Sequence, residues 1–483
     1  MRIALIYPNL HGEFRPNVCI LYVATYIQKE SHHNVVLIDP TFHRKNWKRY
    51  ILKKIQEFSP DIIGYSCLSF NFYDALQINH FLKEKYPSIL SLFGGIHPTL
   101  ANISTLKHKN VDLICVGEGE YTLKALLDQL ETTPSPKDVK GIWYKSNGSI
   151  IKNELRPLEE NLDKFPFPNW DFYEIEKYMI INPYQLDFFG SRGCPYSCTF
   201  CSNHALRKLL PGKYVRQLSP ENIIQEIKYD LKKYRDKGFR YVYFWDETFI
   251  LKKPFLHEFC RLFMESKLAN HLTWSCTARA DLLTEEDMKI MKAANCNMLQ
   301  IGIEAGDPYI RNKIYNRQMS FASMLNAVKL TRKYDVGTQL NFIFGGPEET
   351  PATMQKTFKI AQSFDPKQIS LNVFQPLPAT NATHLIETDG TSCIEDSWSE
   401  MHNFYYKSMI SRPSLTKEQI NRFIKHVDRY FISKFAFRGF KERKLVFLKD
   451  LLKFVLFLKP KYNFHAHDVY KYTLRRYLYE RNL

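Results

Sequence analysis

Neither the N-terminal apolar run of this 483-residue chain nor its C-terminal amphipathic stretch reads as a signal peptide or a membrane span. The apolar start, Met1-Arg2-Ile3-Ala4-Leu5-Ile6-Tyr7, stops at Pro8 after a strand's length. That is too short for either role, and the expectation is a cytoplasmic protein. Low-complexity tracts and short-period repeats are also missing, which excludes a disordered polymer or a solenoid. Nothing resembles a Ser-His-Asp arrangement, so an acid–base hydrolase is disfavoured. No helix-turn-helix accompanies the net charge of +17, and nucleic acid is not an expected partner. Cysteine is scarce, ten residues in all, and in an intracellular chain these are reduced thiols rather than disulfides.

What is present has a globular balance, 45% hydrophobic and 24% charged residues, at a length that implies two or three domains. The excess positive charge is uneven. From residue 401 onward there are nineteen Lys and Arg against six Asp and Glu. A basic region of this kind can meet anionic lipid, nucleic acid or an acidic substrate.

The segment Gly193-Cys194-Pro195-Tyr196-Ser197-Cys198-Thr199-Phe200-Cys201 spaces three cysteines as C-x₃-C-x₂-C, with an aromatic residue before the last. Three thiolates are one short of the four that close a structural zinc site or an ordinary iron–sulfur cluster, and no fourth cysteine is near. An iron left open in this way can chelate a small molecule. A zinc site and three core cysteines are the bland alternatives, but cysteines seldom recur so closely by chance. The motif resembles the signature of the radical S-adenosylmethionine (SAM) enzymes. The resemblance implies that Cys194, Cys198 and Cys201 hold a [4Fe–4S] cluster whose unique iron takes the amino and carboxylate groups of SAM. It further implies that one electron, from a donor such as flavodoxin or ferredoxin, cleaves SAM to methionine and a 5′-deoxyadenosyl radical.

Residues 1–155 alternate apolar strand-like runs with helical patterns, the form of a doubly wound, flavodoxin- or Rossmann-like parallel sheet. Ligands of such sheets bind outside the carboxyl ends of the strands. Three special sequences fall there: Ser66-Cys67-Leu68, Gly94-Gly95 within residues 93–98, and Gly117 within residues 116–120. Glycines at strand ends let backbone approach a large ligand. These segments resemble the cobalamin-binding domain that precedes the radical SAM core in one large subgroup. The resemblance implies cobalamin held by Ser66, Leu68, Gly94, Gly95 and Gly117. The D-x-H-x-x-G element that ligates cobalt elsewhere is missing after the first strand, where the chain reads Tyr7-Pro8-Asn9-Leu10-His11-Gly12-Glu13. His11 reads more simply as a solvated loop histidine than as a ligand. Cys19, Cys67 and Cys115 could hold a second cluster as in methylthiotransferases, although Cys115 lies in an apolar strand pattern and reads as core. An Asn147-Gly148 turn between strand-like arms predicts a hairpin that closes this domain, and residues 156–177 read as a linker.

Residues 178–380 carry six βα units, an incomplete (β/α)₆ version of the TIM-like barrel, with reactive groups expected at the strands' carboxyl ends. Asp246 and Glu247 end strand two, Arg279 strand three, Glu304 strand four and Gly345 strand five. SAM carries an ammonium, a carboxylate and ribose hydroxyls, so its site needs carboxylate acceptors, a cation and bare backbone. The segments around Asp246-Glu247 and Glu304 resemble the family's SAM-contacting elements, which implies that role for Asp246, Glu247, Arg279, Glu304 and Gly345. Residues 381–483 are expected to form a basic helical C-terminal region, with helices over 416–435 and 442–458. The second is amphipathic and can lie at an anionic inner membrane face or pack on the barrel.

The resulting expectation is a cobalamin-dependent radical SAM enzyme that C-methylates an unactivated carbon of a lipid-like or secondary-metabolite small molecule. An RNA methylthiotransferase and a non-enzymatic cobalamin or redox sensor are the alternatives.

Overall fold

The computed structural model of the chain describes residues 1–13, 15–182, 184–394 and 407–453. Its first sheet has seven strands: β1 Arg2–Ile6, β2 Asn34–Ile38, β3 Ile62–Ser66, β4 Leu90–Gly94, β5 Leu113–Cys115, β6 Ile142–Ser146 and β7 Ser149–Lys152, in the order β2-β1-β3-β4-β5-β6-β7. The first five are parallel, and β6 and β7 are the antiparallel hairpin around Asn147-Gly148. Successive side chains on a strand point to opposite faces, and β1 shows why both faces are helix-covered. Ile3 and Leu5 join a core with Leu21 and Leu126, whereas Ala4 and Ile6 join another with Ile51, Ile55, Ile78 and Leu82. A strand with four consecutive buried apolar residues has no face left for water, which is the pattern of a doubly wound sheet.

Chain segments β8 Gln185–Phe188, β9 Ser191–Arg192, β10 Arg216–Gln217, β11 Tyr241–Phe244, β12 Thr273–Ala278, β13 Cys296–Glu304, β14 Gly337–Phe344 and β15 Gln368–Val373 follow. Six of them form a parallel, curled half-barrel in the order β15-β14-β13-β12-β11-β8. Val242, Phe244, Trp274, Cys276, Leu299, Ile301, Leu340 and Phe342 face the surrounding helices in one core. The intervening residues, among them Tyr243, Ser275, Gln300 and Asn341, therefore line the inside. The helices start where their caps say they should. Ser219 caps Pro220–Tyr234 with proline in the first turn, and Thr284 and Asp287 form a capping box on Glu285–Ala293.

β9 and β10 pair antiparallel and close the neck of the loop that carries the three cysteines. The two sheets also share a core. The helix Val18–Glu30 contributes Leu21 and Tyr22 to the cluster that holds Trp170, Ile223 and Leu186.

Beyond the barrel, β16 Cys393–Ile394 and β17 Ile410–Ser411 pair, and one continuous helix, Lys417–Lys453, replaces the two expected over 416–435 and 442–458. Gly439 is the only breaker between them, and a single interior glycine costs about 1 kcal/mol without ending a helix. Ile420, Ile424, Val427 and Phe431 are buried in the barrel's core. The amphipathic stripe expected over 442–458 lies outside the residues whose side chains are described. Among the described residues no helix is long and apolar enough to cross a membrane.

The helix Pro220–Tyr234 buries two carboxyls four residues apart, Glu226 and Asp230. Asp230 accepts from the Trp170 indole at 3.1 Å, and burial pushes its carboxyl up to about 8. The folded chain thus binds a proton there that the unfolded chain releases near pH 4. Stability from this group is complete below about pH 4 and is lost as pH rises toward 8. Asp230→Asn keeps an acceptor for Trp170, so it should raise the melting temperature at pH 8 by about 2 °C or more, with a smaller gain at pH 6. Calorimetry at the two pH values checks this, and an equal effect at both would rule it out.

Candidate active site between the two sheets

A cavity opens where the carboxyl ends of the two parallel sheets face each other. Ser66, Leu68, Gly94, Gly95 and Gly117 line it from the first sheet, and Ser191, Arg192, Gly193, Tyr214, Arg216 and Glu247 line it from the second. Five residues expected to contact cobalamin therefore share one wall with the entrance to the cysteine loop. The Ser66 hydroxyl accepts from Asn17 at 3.3 Å, and the Gly117 amide donates to Thr99 at 3.1 Å. Gly95, at φ +99°, could not carry a side chain, because a Cβ would stand 2.6 Å from the Cys67 carbonyl oxygen. At Gly94 a Cβ would meet nothing closer than Cys115 at 3.6 Å, so its bare face looks into the cavity. Cys19 and Cys115 line the same space, whereas Cys67 does not. His11 is neither on the wall nor solvated: its Nδ1 bonds Asp74 at 2.8 Å, and its ring meets Phe70 edge-on.

The cysteine loop is pinned from several sides. Gly193, at φ +86°, turns the chain so tightly against Tyr214 that no side chain would fit. Arg207 donates to the Pro195 carbonyl and, at 2.7 Å, to the Ser197 hydroxyl. Thr199 bonds the carbonyls of Ile314 and Tyr315 at 2.6 and 3.2 Å, and Phe200 packs edge-on against Tyr315. Two sulfurs accept hydrogen bonds, Cys198 from Arg317 and Cys201 from Asn203, both at 3.5 Å. Burial raises the Cys194 thiol and pushes that of Cys201 up to about 11. Thiolates in this loop therefore need compensating positive charge, as a metal would supply.

The strand-end residues divide into two groups. Glu247 opens onto the cavity, and its carboxyl is raised by the protein around it. Arg279 stacks its guanidinium on the Tyr196 ring of the cysteine loop at 3.7 Å and pairs with Asp281 at 2.9 Å. Glu304 is buried at the end of β13, 3.7 Å from Arg317, with its carboxyl raised by desolvation. Its backbone has φ +65°, and the register with β14 shifts between Gly302 and Glu304. A left-handed glutamate costs roughly 1–2 kcal/mol, and such outliers persist where the surroundings impose them. The other two stand behind the cavity wall. Asp246 accepts from the Gly190 amide at 2.9 Å and from the Ser191 hydroxyl, with its carboxyl pushed up to about 7 by burial. Gly345, at φ +81°, packs against Ile420 of the C-terminal helix.

Sequence reasoning did not single out Arg192, Arg216, Arg207 or Arg317. Arg192 pairs with Glu118 at 3.1 Å and Glu120 at 2.7 Å, and Arg216 with Glu118 at 2.7 Å. The partners of Arg192 and Arg216 lie 72 to 98 positions away, so no local pattern marks them. Arg317 left a faint trace, since Asn316 and Gln318 on either side both have positive φ, and asparagine is a residue that tolerates it.

Two family comparisons divide the chain along these structural lines. Residues 189–361 match the radical SAM superfamily, and residues 12–127 match the B12 binding domain. The chain belongs to the cobalamin-binding radical SAM enzymes. An uncharacterised methyltransferase of Pyrococcus horikoshii is 29% identical over 79% of this chain and 82% of its own length. The anaerobic magnesium-protoporphyrin IX monomethyl ester cyclase of Rubrivivax gelatinosus is 27% identical over 97% of this chain and 84% of its own. Among solved structures, the radical SAM methyltransferase TsrM of Kitasatospora setae superimposes with a TM-score of 0.68 at 16% identity, covering 82% of this chain and 79% of that one. The cobalamin-dependent enzyme OxsB gives 0.71 at 18% identity, covering 99% and 72%. At such identities the structural likeness shows the fold.

The cofactors of this radical SAM enzyme are a [4Fe–4S] cluster, SAM and cobalamin. The residues present suit all three. Three thiols with hydrogen-bond donors at two sulfurs match a cluster with one open iron. Buried acids and cations at the strand ends match a zwitterion, and the bare backbone of Gly94 and Gly117 matches a flat, bulky ligand. Gly94→Val should place its bulk in the cavity and weaken cobalamin retention by about tenfold or more, ~1.4 kcal/mol, with iron content unchanged. Cobalt-to-iron ratios of anaerobically purified protein check it, and an unaltered ratio would count against this wall.

Proposed function

We propose that this enzyme moves a methyl group to an unactivated carbon of a small molecule, of lipid-like or secondary-metabolite type. The observation that supports it is that Gly94, Gly95 and Gly117 face the same cavity as Gly193 and Glu247, so two reaction centres can share one gap. When bound, the cluster and SAM supply a carbon-centred radical, and cobalamin supplies the methyl group. On this reading residues 1–155 are the cobalamin domain with its hairpin, 156–177 the linker, 178–380 the radical core and 381–483 an accessory region. Cys194, Cys198 and Cys201 hold the iron, and Ser66, Leu68, Gly94, Gly95 and Gly117 form the cobalamin seat. Glu247, Arg279 and Glu304 orient SAM by accepting from its ammonium and ribose and by balancing its carboxylate. Asp246 and Gly345 act through the backbone they hold. Reducing equivalents come one at a time from a flavodoxin or ferredoxin.

The inside of the half-barrel bears on the substrate. Thr277, Gln339, Asn341, Ser370 and Asn372 are half-buried along β12, β14 and β15 and carry no charge. Near β11, Arg15 lies over the rings of Trp245 and Tyr243 at 4.4 and 4.8 Å. Gln339 donates to Asn341 at 3.1 Å and Asn372 to the Phe342 carbonyl at 3.2 Å, and the donors and acceptors these pairs leave over favour a substrate that presents carbonyl, amide or hydroxyl groups near the reacting carbon, because they would be costly against hydrocarbon alone. If a lipid-like portion exists, the basic C-terminal region would bring the enzyme to an anionic membrane face. Sedimentation with anionic liposomes at low but not high salt checks that part.

Ring formation is the second reading, because the cyclase relative spans nearly the whole chain. The products of SAM separate the two. A methyl-transferring enzyme yields S-adenosylhomocysteine as well as 5′-deoxyadenosine in each cycle, whereas a cyclase needs only the latter. The wild-type chain, reconstituted anaerobically, should hold about four irons and release both products. Replacing Cys194, Cys198 and Cys201 together by Ala should abolish the iron and 5′-deoxyadenosine while cobalamin stays bound. Formation of 5′-deoxyadenosine alone would favour ring closure, and iron retained by the triple variant would refute the cluster assignment.

A further inference from the structure

The guanidinium of Arg317 touches three parts of the site at once. Nη1 donates to the Cys198 sulfur at 3.5 Å, Nη2 donates to the Gly302 carbonyl at 2.7 Å, and Nη2 stands 3.7 Å from the Glu304 carboxylate. Its own carbonyl accepts from Arg279 at 2.9 Å, and Arg279 lies over Tyr196 between the first two cysteines. Arg317 is 9% exposed, and its Nε is buried without a partner. Positive φ at Asn316 and Gln318 fixes the turn that carries it. Screening by water is therefore small, and a fixed positive charge sits between a sulfur expected to ligate iron and a carboxylate expected to contact SAM.

We infer that Arg317 is a positioning residue that sets the reduction potential of the cluster and links it to the charge on Glu304. The inference rests on the cluster assignment of Cys198 made above. Reduction by one electron from a flavodoxin- or ferredoxin-class donor adds one negative charge to the iron–sulfur group and its thiolates. A guanidinium donating to one of those sulfurs stabilises the reduced form more than the oxidised form, and hydrogen bonds to sulfur are among the features that set such potentials. Glu304 acts in the opposite sense, since its negative charge offsets part of the same guanidinium. The left-handed backbone of Glu304 places its carboxylate beside that guanidinium. Either partner's loss is felt at the other end.

Two substitutions predict shifts of opposite sign in a potentiometric titration of the reconstituted holoenzyme, followed by the electron paramagnetic resonance of the reduced cluster at pH 8. Arg317→Gln should lower the ratio of reduced to oxidised cluster at a fixed poise by about tenfold, or 59 mV for one electron. Arg317→Lys, which keeps the charge, should restore most of it. Glu304→Gln should raise the ratio. A purely structural role for Arg317 would change iron uptake or melting temperature without moving the midpoint of the cluster that remains. An Arg317→Gln protein with full iron and an unmoved midpoint would overturn the inference. Should that variant fail to take up iron, Glu304→Gln decides, and an unchanged or lowered midpoint there overturns it too. Wild-type protein that holds no four-iron cluster would instead defeat the underlying cluster assignment, an outcome distinguishable by iron content alone.

Discussion

The arrangement of this enzyme depends on how the carboxyl ends of two parallel sheets are made to face each other, and a small ion cluster sits at that junction. Glu118 and Glu120 come from the turn after β5, Arg192 from β9 and Arg216 from β10. Arg192 bridges both acids, Arg216 takes both oxygens of Glu118 at 2.7 and 3.0 Å, and the Arg192 guanidinium also lies over Phe165 at 4.8 Å. Nearby arginines hold the Glu118 carboxyl below its ordinary range despite burial. Desolvating four charges offsets much of what their pairing contributes, so a cluster of this kind is weak evidence for stability. Its geometry is specific, however. Removing one member would strand the others, at a cost of about 3–5 kcal/mol, and an apolar contact of equal area could slide. The cluster therefore fixes the orientation of the two sheets while the shared apolar core supplies the adhesion.

From that constraint follows the division between what was legible in the sequence and what was not. Each half of the fold could be read locally. A doubly buried strand such as β1 is a continuous apolar run, barrel strands alternate, and the helix Pro220–Tyr234 begins at Ser219-Pro220 and is bounded as its pattern predicts. The cysteine motif and the glycines of the first sheet are similarly local, because tight spacing and bare backbone leave their mark within a few residues. The facing of the halves is not local. Arg216 and Glu118 are 98 positions apart, and Arg317 meets Cys198 across 119. A single sequence has no periodicity at such separations.

The misreadings have the same origin. His11 was expected in solvent because its neighbours are loop residues, but Asp74, 63 positions on, gathers its ring and the amides of Leu10 and His11. The C-terminal helices were separated at a weakly helical stretch that backbone continuity bridges as far as Lys453. Nothing local could mark Glu304 as left-handed, since glutamate has no preference for that conformation. The register shift against β14 and the approach of Arg317 accompany it, and both involve residues distant in sequence.

The electrostatics of the cysteine loop complete the picture. Guanidiniums of Arg207, Arg279 and Arg317 surround it, and of the acids nearby Asp246 and Glu304 are raised by burial while Glu247 is exposed on the cavity wall. A site built only to stabilise the folded chain would not gather three cations around one loop of three cysteines. Arg279 is paired with Asp281 and Arg317 with Glu304, and thiolates on iron and the carboxylate of SAM would bring further negative charge within reach of the same guanidiniums. The same low dielectric that raises these carboxyls makes every fixed charge act strongly on the cofactors. The left-handed Glu304 and the raised carboxyls thus lie where a loop that receives the negative charge of its cofactors would feel them most.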